Sequence, residues 1–163
     1  MEYLAPEVIL DLEYGKEIDW WALGVMLYQF LCGFLPFQGK DDPQECYQQI
    51  LYSKLKFPRG KVSNSAKVFV DRLLCKDPSK RLGSAESGGF KALLSQDWLT
   101  GMDWSNLVRK GLPSPWEPEL EHDFDVSNFN VEHLDSEQLD RIKSLDTTSN
   151  LSNNTTKCIF HEF

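Results

Sequence analysis

The chain has 163 residues, of which 41% are hydrophobic and 26% are charged, as expected for a globular domain of ordinary size. Its formal net charge of −8 argues against non-specific nucleic-acid binding, which needs a basic surface. Its 4 cysteines are far apart and form no Cys-x-x-Cys pair, so neither a metal site nor a disulfide framework is expected and a reducing compartment fits.

The first long element predicted along the chain is a buried helix from Asp19 to about Cys32. The residues before it, 1–18, are predicted as a loop with a short turn. Gly33 is predicted to stop the helix and Pro36 lies just beyond it, so the apolar stretch is too short to span a membrane. A helix that is apolar on all sides is instead typical of the centre of a large core.

Three further helices are predicted after this one. The first covers 43–53 and is opened by Asp42 and Pro43, a capping residue followed by a proline in the first turn. The other two are recognised by apolar residues at helical spacing. They run from Ser65 to Cys75, with Val68, Phe69, Leu73 and Leu74, and from Gly89 to Trp98, with Phe90, Leu93, Leu94 and Trp98.

The character of the sequence changes near residue 112. Pro113, Pro115 and Pro118 favour extended backbone. Residues 117–146 contain ten acids and two bases, which is typical of a solvated linker, and residues 144–156 are rich in Ser, Thr and Asn and are predicted to be mobile. The prediction is a mainly α fold, with a helical domain over 1–111 and an extended irregular tail over 112–163.

Six short sequence blocks follow one another along the chain. They are Glu2-Tyr3-Leu4-Ala5-Pro6-Glu7, Tyr14-Gly15, Asp19-Trp20-Trp21-Ala22-Leu23-Gly24, Gly33-Phe34-Leu35-Pro36-Phe37, Phe57-Pro58 and Leu73-Leu74-Cys75-Lys76-Asp77-Pro78-Ser79-Lys80-Arg81-Leu82-Gly83. In this order the blocks resemble the large lobe of Ser/Thr protein kinases of the AGC group, which contains protein kinases A, G and C, and the protein kinase A branch is the most similar. The resemblance implies the large-lobe helical subdomain of that fold, followed by the AGC C-terminal tail.

The resemblance implies structural roles for five residues. Glu7 and Arg81 match a carboxylate and a guanidinium that form a bidentate pair and pin the substrate-binding loop to the base of the lobe; the alternative is two unrelated surface charges. Asp19 matches a carboxylate that accepts hydrogen bonds from the catalytic loop, and in this chain it is expected to act as a helix cap. Met26 and Phe30 match anchors of the hydrophobic columns that join the two lobes, with plain core packing as the alternative.

Three residues match positions that meet a protein substrate. Leu4 matches the lining of the pocket for the side chain after the phosphorylated Ser or Thr. Glu2 lies where basic substrate residues approach. Gln29 stands where the cyclic-nucleotide branch usually has Glu, and an amide loses the charge-assisted hydrogen bond to a substrate arginine.

The tail carries a second part of the resemblance. Phe129 matches the phenylalanine that covers the adenine pocket, and Phe160 and Phe163 match a terminal Phe-x-x-Phe that docks in a pocket on the small lobe of a kinase. Ser149 and Ser152 lie near the expected phosphorylated turn. The partners implied are protein substrates, a regulatory subunit and a kinase small lobe.

The motifs that perform phosphoryl transfer are missing from the sequence. It has no Gly-x-Gly-x-x-Gly, no His-Arg-Asp and no Asp-Phe-Gly, so ATP and Mg are expected only in the full-length family member. The leading hypothesis is the C-terminal part of a Ser/Thr kinase that is inactive alone, in the cytoplasm or also in the nucleus. The alternatives are a non-catalytic binding module, which docks peptides or another kinase's small lobe, and an unrelated helical domain.

Overall fold

The computed structural model describes residues 1–39, 42–121, 125, 127–129, 136–138 and 140–141. The described part is mainly α and contains no strand, which confirms the predicted fold class at this level. The chain divides into two compact units, Met1–Asp103 and Trp104–Phe163. The helices up to residue 121 are α1 (Pro6–Ile9), α2 (Glu17–Cys32), α3 (Pro43–Tyr52), α4 (Asn64–Leu73), α5 (Gly89–Leu94) and α6 (Trp104–Val108), with 3-10 helices at Pro78–Lys80 and Asp97–Leu99. The described residues 136–138 and 140–141 are also helical.

Helix α2 is the centre of the first unit. Trp21 and Val25 are fully buried on one of its faces, together with Tyr28, and α4 is the helix that packs most closely against it. Gly33 ends α2 in the left-handed conformation, with φ of 86°, and its N–H donates to the carbonyl of Gln29 at 2.8 Å. The predicted end of this helix is confirmed, and its start lies two residues before the predicted one.

Side-chain caps fix the starts of α3 and α4. The Asp42 carboxylate accepts a hydrogen bond from the backbone N–H of Gln44 at 2.8 Å, and Pro43 follows in the first turn, as predicted. The hydroxyl of Ser63 accepts from the N–H of Ala66 at 3.2 Å. Both helices therefore begin where the sequence supplies an oxygen for otherwise unpaired N–H groups.

Some predictions for local structure and burial are wrong. Residues 6–9 form the helix α1, which is too short to leave a periodic pattern in the sequence. The predicted helix over 89–98 is two elements, α5 and a 3-10 helix. Val68 and Phe90 are 56% and 59% exposed, because the core is filled by other residues of α4 and α5, including Phe69, Val70 and Leu93.

No helix in the described part of the chain is long and apolar enough to cross a membrane. In the second unit, residues 112–121 contain no helix or strand and are almost all exposed. The predicted boundary after residue 111 falls within this unit. The predictions for 144–156, Ser149, Ser152, Phe160 and Phe163 concern residues outside the described ones.

Candidate functional site

A buried ion pair joins α1 to the segment that follows α4. Arg81 donates from Nη1 to Oε1 of Glu7 at 2.6 Å and from Nη2 to Oε2 of the same carboxylate at 2.8 Å. Arg81 is 0% exposed and Glu7 is 3% exposed. The predicted bidentate pair is therefore present, and the alternative of two unrelated surface charges is wrong.

Two further N–H groups of Arg81 also have partners. Nη1 donates to the carbonyl of Glu17 at 2.9 Å, and Nε donates to the carbonyl of Cys75 at 3.0 Å. The guanidinium carbon lies 5.2 Å from the centre of the Trp21 ring, within the range of a cation–π contact. The Arg81 side chain thus connects α1, the start of α2 and the segment that follows α4.

Two serines hold the backbone around Arg81. Ser84 is fully buried, and its hydroxyl donates to the carbonyl of Ser79 at 2.8 Å and accepts from the N–H of Ser87 at 3.1 Å. The hydroxyl of Ser87 donates to the carbonyl of Arg81 itself at 2.7 Å. The sequence analysis missed both serines, because isolated serines in a Gly-rich loop give no periodic or motif signal.

The structure brings together part of the predicted substrate-facing set. Leu4 lines a surface depression of about 170 Å³ with residues of α1 and α2, and Tyr3, next to it, donates from its hydroxyl to Oε1 of Gln29 at 2.7 Å. The Gln29 amide therefore has a protein partner on this surface. Glu2 is partly exposed, with its carboxylate 3.3 Å from the amino group of Met1. The depression is lined by Tyr3, Leu4, Ala5, Val8, Tyr14, Ile18, Asp19 and Ala22.

Asp19 does not cap α2. The helix begins at Glu17, its cap position is occupied by Lys16, and no side chain makes a capping hydrogen bond there. Asp19 lies inside the first turn, exposed, where a carboxylate still favours the helix dipole. The helix-cap prediction is wrong, while the role of Asp19 as an acceptor for a catalytic loop stays a prediction.

Met26 and Phe30 lie on an exposed face of α2. They are 40% and 75% exposed, because the buried stripe of this helix runs through other residues, among them Trp21, Val25 and Tyr28. Plain core packing of Met26 and Phe30 within this chain is therefore wrong. Their predicted role as anchors for hydrophobic columns remains a prediction, and it would require a covering partner.

Phe129, in the second unit, is 72% exposed, so its predicted contact with a nucleotide stays a prediction.

The phenol of Tyr28 is buried in the first unit and has a shifted pKa. Tyr28 is 2% exposed and donates from its hydroxyl to the carbonyl of Lys56 at 2.6 Å. Burial is the main cause that raises the pKa of Tyr28 to about 12, and the neighbouring Cys32 adds to this effect.

The family assignment agrees with this arrangement. The model of the family described as "Protein kinase domain" matches residues 1–99, which include Glu7, α2 and Arg81. The chain belongs to the protein kinase domain family.

The curated relatives include proteins named as serine/threonine-protein kinases. The chain is 41% identical over 132 residues to Serine/threonine-protein kinase sck2 of Schizosaccharomyces pombe (80% of this chain, 20% of that protein). It is 38% identical over 131 residues to human RAC-beta serine/threonine-protein kinase (80% and 27%), and 38% identical over 144 residues to the mouse cAMP-dependent protein kinase catalytic subunit PRKX (88% and 39%). The resemblance to AGC-group Ser/Thr kinases is confirmed, and the chain spans less than half of the length of each of these relatives.

Proposed function

We propose that this chain is the C-terminal part of a Ser/Thr kinase that, in full-length form, transfers the γ-phosphate of ATP to Ser or Thr of protein substrates. The observation that carries the proposal is the buried bidentate pair of Glu7 and Arg81 within the family match. The pair fixes α1, and with it the neighbouring residue Leu4, to the segment that follows α4. A rigid substrate surface is what phosphoryl transfer needs, because positioning supplies much of the catalysis.

In this proposal the chain positions the substrate and other segments perform the chemistry. The depression beside Leu4 receives the side chain that follows the target Ser or Thr, and Glu2 and Gln29 border the approach of neighbouring substrate residues. ATP and Mg are held by the Gly-rich loop, lysine, aspartates and asparagine of the family, and residues 1–163 contain none of those motifs. The polypeptide of 163 residues is therefore inactive alone.

The tail supplies the remaining contacts in this proposal. Phe129 approaches the nucleotide, and Phe160 and Phe163 dock on the small lobe. A regulatory subunit binds the large lobe, and the protein acts in the cytoplasm or also in the nucleus. No observation favours the alternative of a non-catalytic binding module.

A chimaeric kinase tests the proposal. Residues 1–103 replace the matching segment of human RAC-beta serine/threonine-protein kinase, and phosphate transfer from ATP to a Ser/Thr peptide is measured. The chimaera is expected to be active and the 163-residue chain alone inactive. Leu4→Glu in the chimaera should raise KM by at least about tenfold, because a charge in an apolar pocket is poorly solvated.

Lys91→Glu is the matched control, since Lys91 is exposed on α5 and lies away from the depression. A folded chimaera without activity would contradict the proposal. So would a Leu4→Glu variant whose KM equals that of the Lys91→Glu variant.

A further inference from the structure

A basic segment stands out in an acidic chain. Residues 54–81 contain nine bases and two acids, a net charge of +7, whereas the whole chain has a net charge of −8. Arg81 is buried against Glu7, but most of the other bases are exposed. A concentration of positive charge on part of the surface indicates a negatively charged ligand.

Four of these bases line one open cavity of about 540 Å³ between the ends of α3 and α4. They are Lys54, Arg72, Lys76 and Lys80, and the acid that lines the cavity with them is Asp71. The Lys80 ammonium is neutralised by Asp77, whose carboxylate lies 2.8 Å from Nζ.

Three cations therefore face one carboxylate in this cavity. Helices α3 and α4 also end here, and each C-terminus contributes about −0.5 of a charge. The local excess is about +1, which favours a negatively charged ligand.

The cations are held in ways that leave their charges available. Arg72 donates from Nη1 to the neutral amide oxygen of Gln96 at 2.7 Å. Lys76 donates from Nζ to the carbonyl of Ser53 at 2.6 Å, and burial lowers the pKa of Lys76, so an added anion would restore favourable solvation of its charge. Lys54 is exposed and forms no ion pair with another described residue.

The rest of the cavity fits a peptide better than a flat or purely ionic ligand. The walls of the cavity include three apolar side chains, those of Phe37, Leu55 and Leu74. Tyr52 also lines the cavity and is 77% exposed. Lys54 also lines a neighbouring depression of about 360 Å³, so an extended ligand can continue from one into the other. A membrane surface would not enter a concave site, and free phosphate would leave the apolar walls uncovered.

We propose that this cavity binds an acidic peptide segment that carries a phosphorylated Ser or Thr, with the phosphate between Lys54, Arg72 and Lys76 and an apolar side chain on the walls. The site is separate from the depression beside Leu4 and does not depend on the proposed phosphoryl transfer. Charge-assisted hydrogen bonds from Arg and Lys are the usual means of recognising a phosphorylated side chain.

Fluorescence anisotropy of the full 163-residue chain tests the proposal. The probe is the fluorescein-labelled peptide Glu-Asp-phosphoSer-Leu-Glu-Phe, and saturable binding that weakens as salt is added is expected. Lys54→Glu should weaken the affinity about tenfold, because an attraction becomes a repulsion. Lys91→Glu, which makes the same charge change at an exposed position of α5, should stay within about twofold.

A local readout complements the affinities. Cys75 lines the cavity and is partly exposed, whereas Cys32 and Cys46 are buried. Bound peptide should slow alkylation of Cys75 by iodoacetamide in proportion to occupancy, as followed by mass spectrometry. Should Lys54→Glu fail to fold, Lys54→Gln supplies the same comparison with a smaller effect.

Several results would overturn the proposal. They are the absence of saturable binding, equal affinities for Lys54→Glu and Lys91→Glu, and unchanged alkylation of Cys75 at saturation. Displacement of the peptide by inorganic phosphate at peptide-like concentrations would also overturn it. So would binding of phosphatidylserine vesicles or a single-stranded oligonucleotide in place of the peptide.

Discussion

The guanidinium of Arg81 donates four hydrogen bonds while fully buried, two of them to the Glu7 carboxylate. Arg81→Ala would leave Glu7 buried without its partner, and we expect a loss of about 3–5 kcal/mol in the free energy of unfolding. Lys80, its exposed neighbour, forms a surface pair with Asp77, so Lys80→Ala should have a much smaller effect than Arg81→Ala. Urea unfolding of the two variants measures the difference.

Arg81→Lys separates the charge from the geometry. A lysine keeps the positive charge but cannot make the two parallel hydrogen bonds, so most of the loss should remain. Equal midpoints for Arg81→Ala and Lys80→Ala would show that the buried pair contributes little to stability.

The buried phenol of Tyr28 should make the first unit less stable at alkaline pH. Its pKa is raised from 10.0 to about 12 in the folded chain, so the neutral form is favoured by folding. The contribution is fully present below pH 10 and is lost as pH rises through 12, because the unfolded chain ionises first. We expect stability to fall by about 2–3 kcal/mol across this interval.

Tyr28→Phe should remove that part of the pH dependence. It should also cost about 1 kcal/mol near pH 7, because the hydrogen bond to the Lys56 carbonyl is lost. Tyr52→Phe is the control, since Tyr52 is 77% exposed. The mechanism would be wrong if the Tyr28→Phe chain kept the same decline in denaturation midpoint between pH 10 and 12.

At the scale of the elements, the contact between α2 and α4 depends on a residue without a side chain. A Cβ placed on Gly24 would lie 2.9 Å from Cβ of Leu73 and 2.9 Å from Cδ2 of Leu74. Gly→Ala in a helix normally stabilises by about 1 kcal/mol, but overpacking costs about 1–3 kcal/mol. We therefore expect Gly24→Ala to destabilise the chain in thermal and urea unfolding.

Met26→Ala is the matched control, because it places alanine on the partly exposed face of the same helix. It should change stability by less than about 1 kcal/mol. A Gly24→Ala chain more stable than the parent would show that α2 and α4 separate at low cost.

The elements also show what the sequence could and could not predict. α2 was predictable because an apolar run ends at Gly33, and α3 because Asp42 and Pro43 form a recognisable start. The start of α2 was missed, because Lys16 at the cap position gives no capping signal. A continuous apolar run also has no polar face, so it could not indicate that Phe30 is exposed.

The site required information from distant parts of the chain. Glu7 and Arg81 are separated by 74 positions, so no local pattern joins them, and only the resemblance to a family predicted the pair. Neither a local pattern nor the family resemblance pointed to Ser84 and Ser87, because their hydrogen bonds depend on the folded shape of the loop.

At the scale of the whole molecule, the exposed apolar face of α2 links this chain to the proposed larger kinase. Phe30 is 75% exposed and Met26 is 40% exposed, although both are large apolar side chains. Residues at i and i+4 are neighbours on a helix surface, so Met26 and Phe30 give α2 one apolar area that another segment could cover. If the remaining part of a kinase covers it, the two residues matter in the full-length protein and not in this chain.

The double variant Met26→Gln/Phe30→Gln tests whether another segment covers this face of α2. In the 163-residue chain it should leave the unfolding midpoint nearly unchanged and raise the concentration at which the chain aggregates, because apolar surface is removed. In the chimaeric kinase the same change should lower thermal stability and kcat, because two buried contacts become unsatisfied amides. Val68→Gln on α4, where Val68 is 56% exposed, is the control and should have little effect in either protein. A chimaera that tolerates the double variant as well as it tolerates Val68→Gln would show that this face stays uncovered in the larger protein.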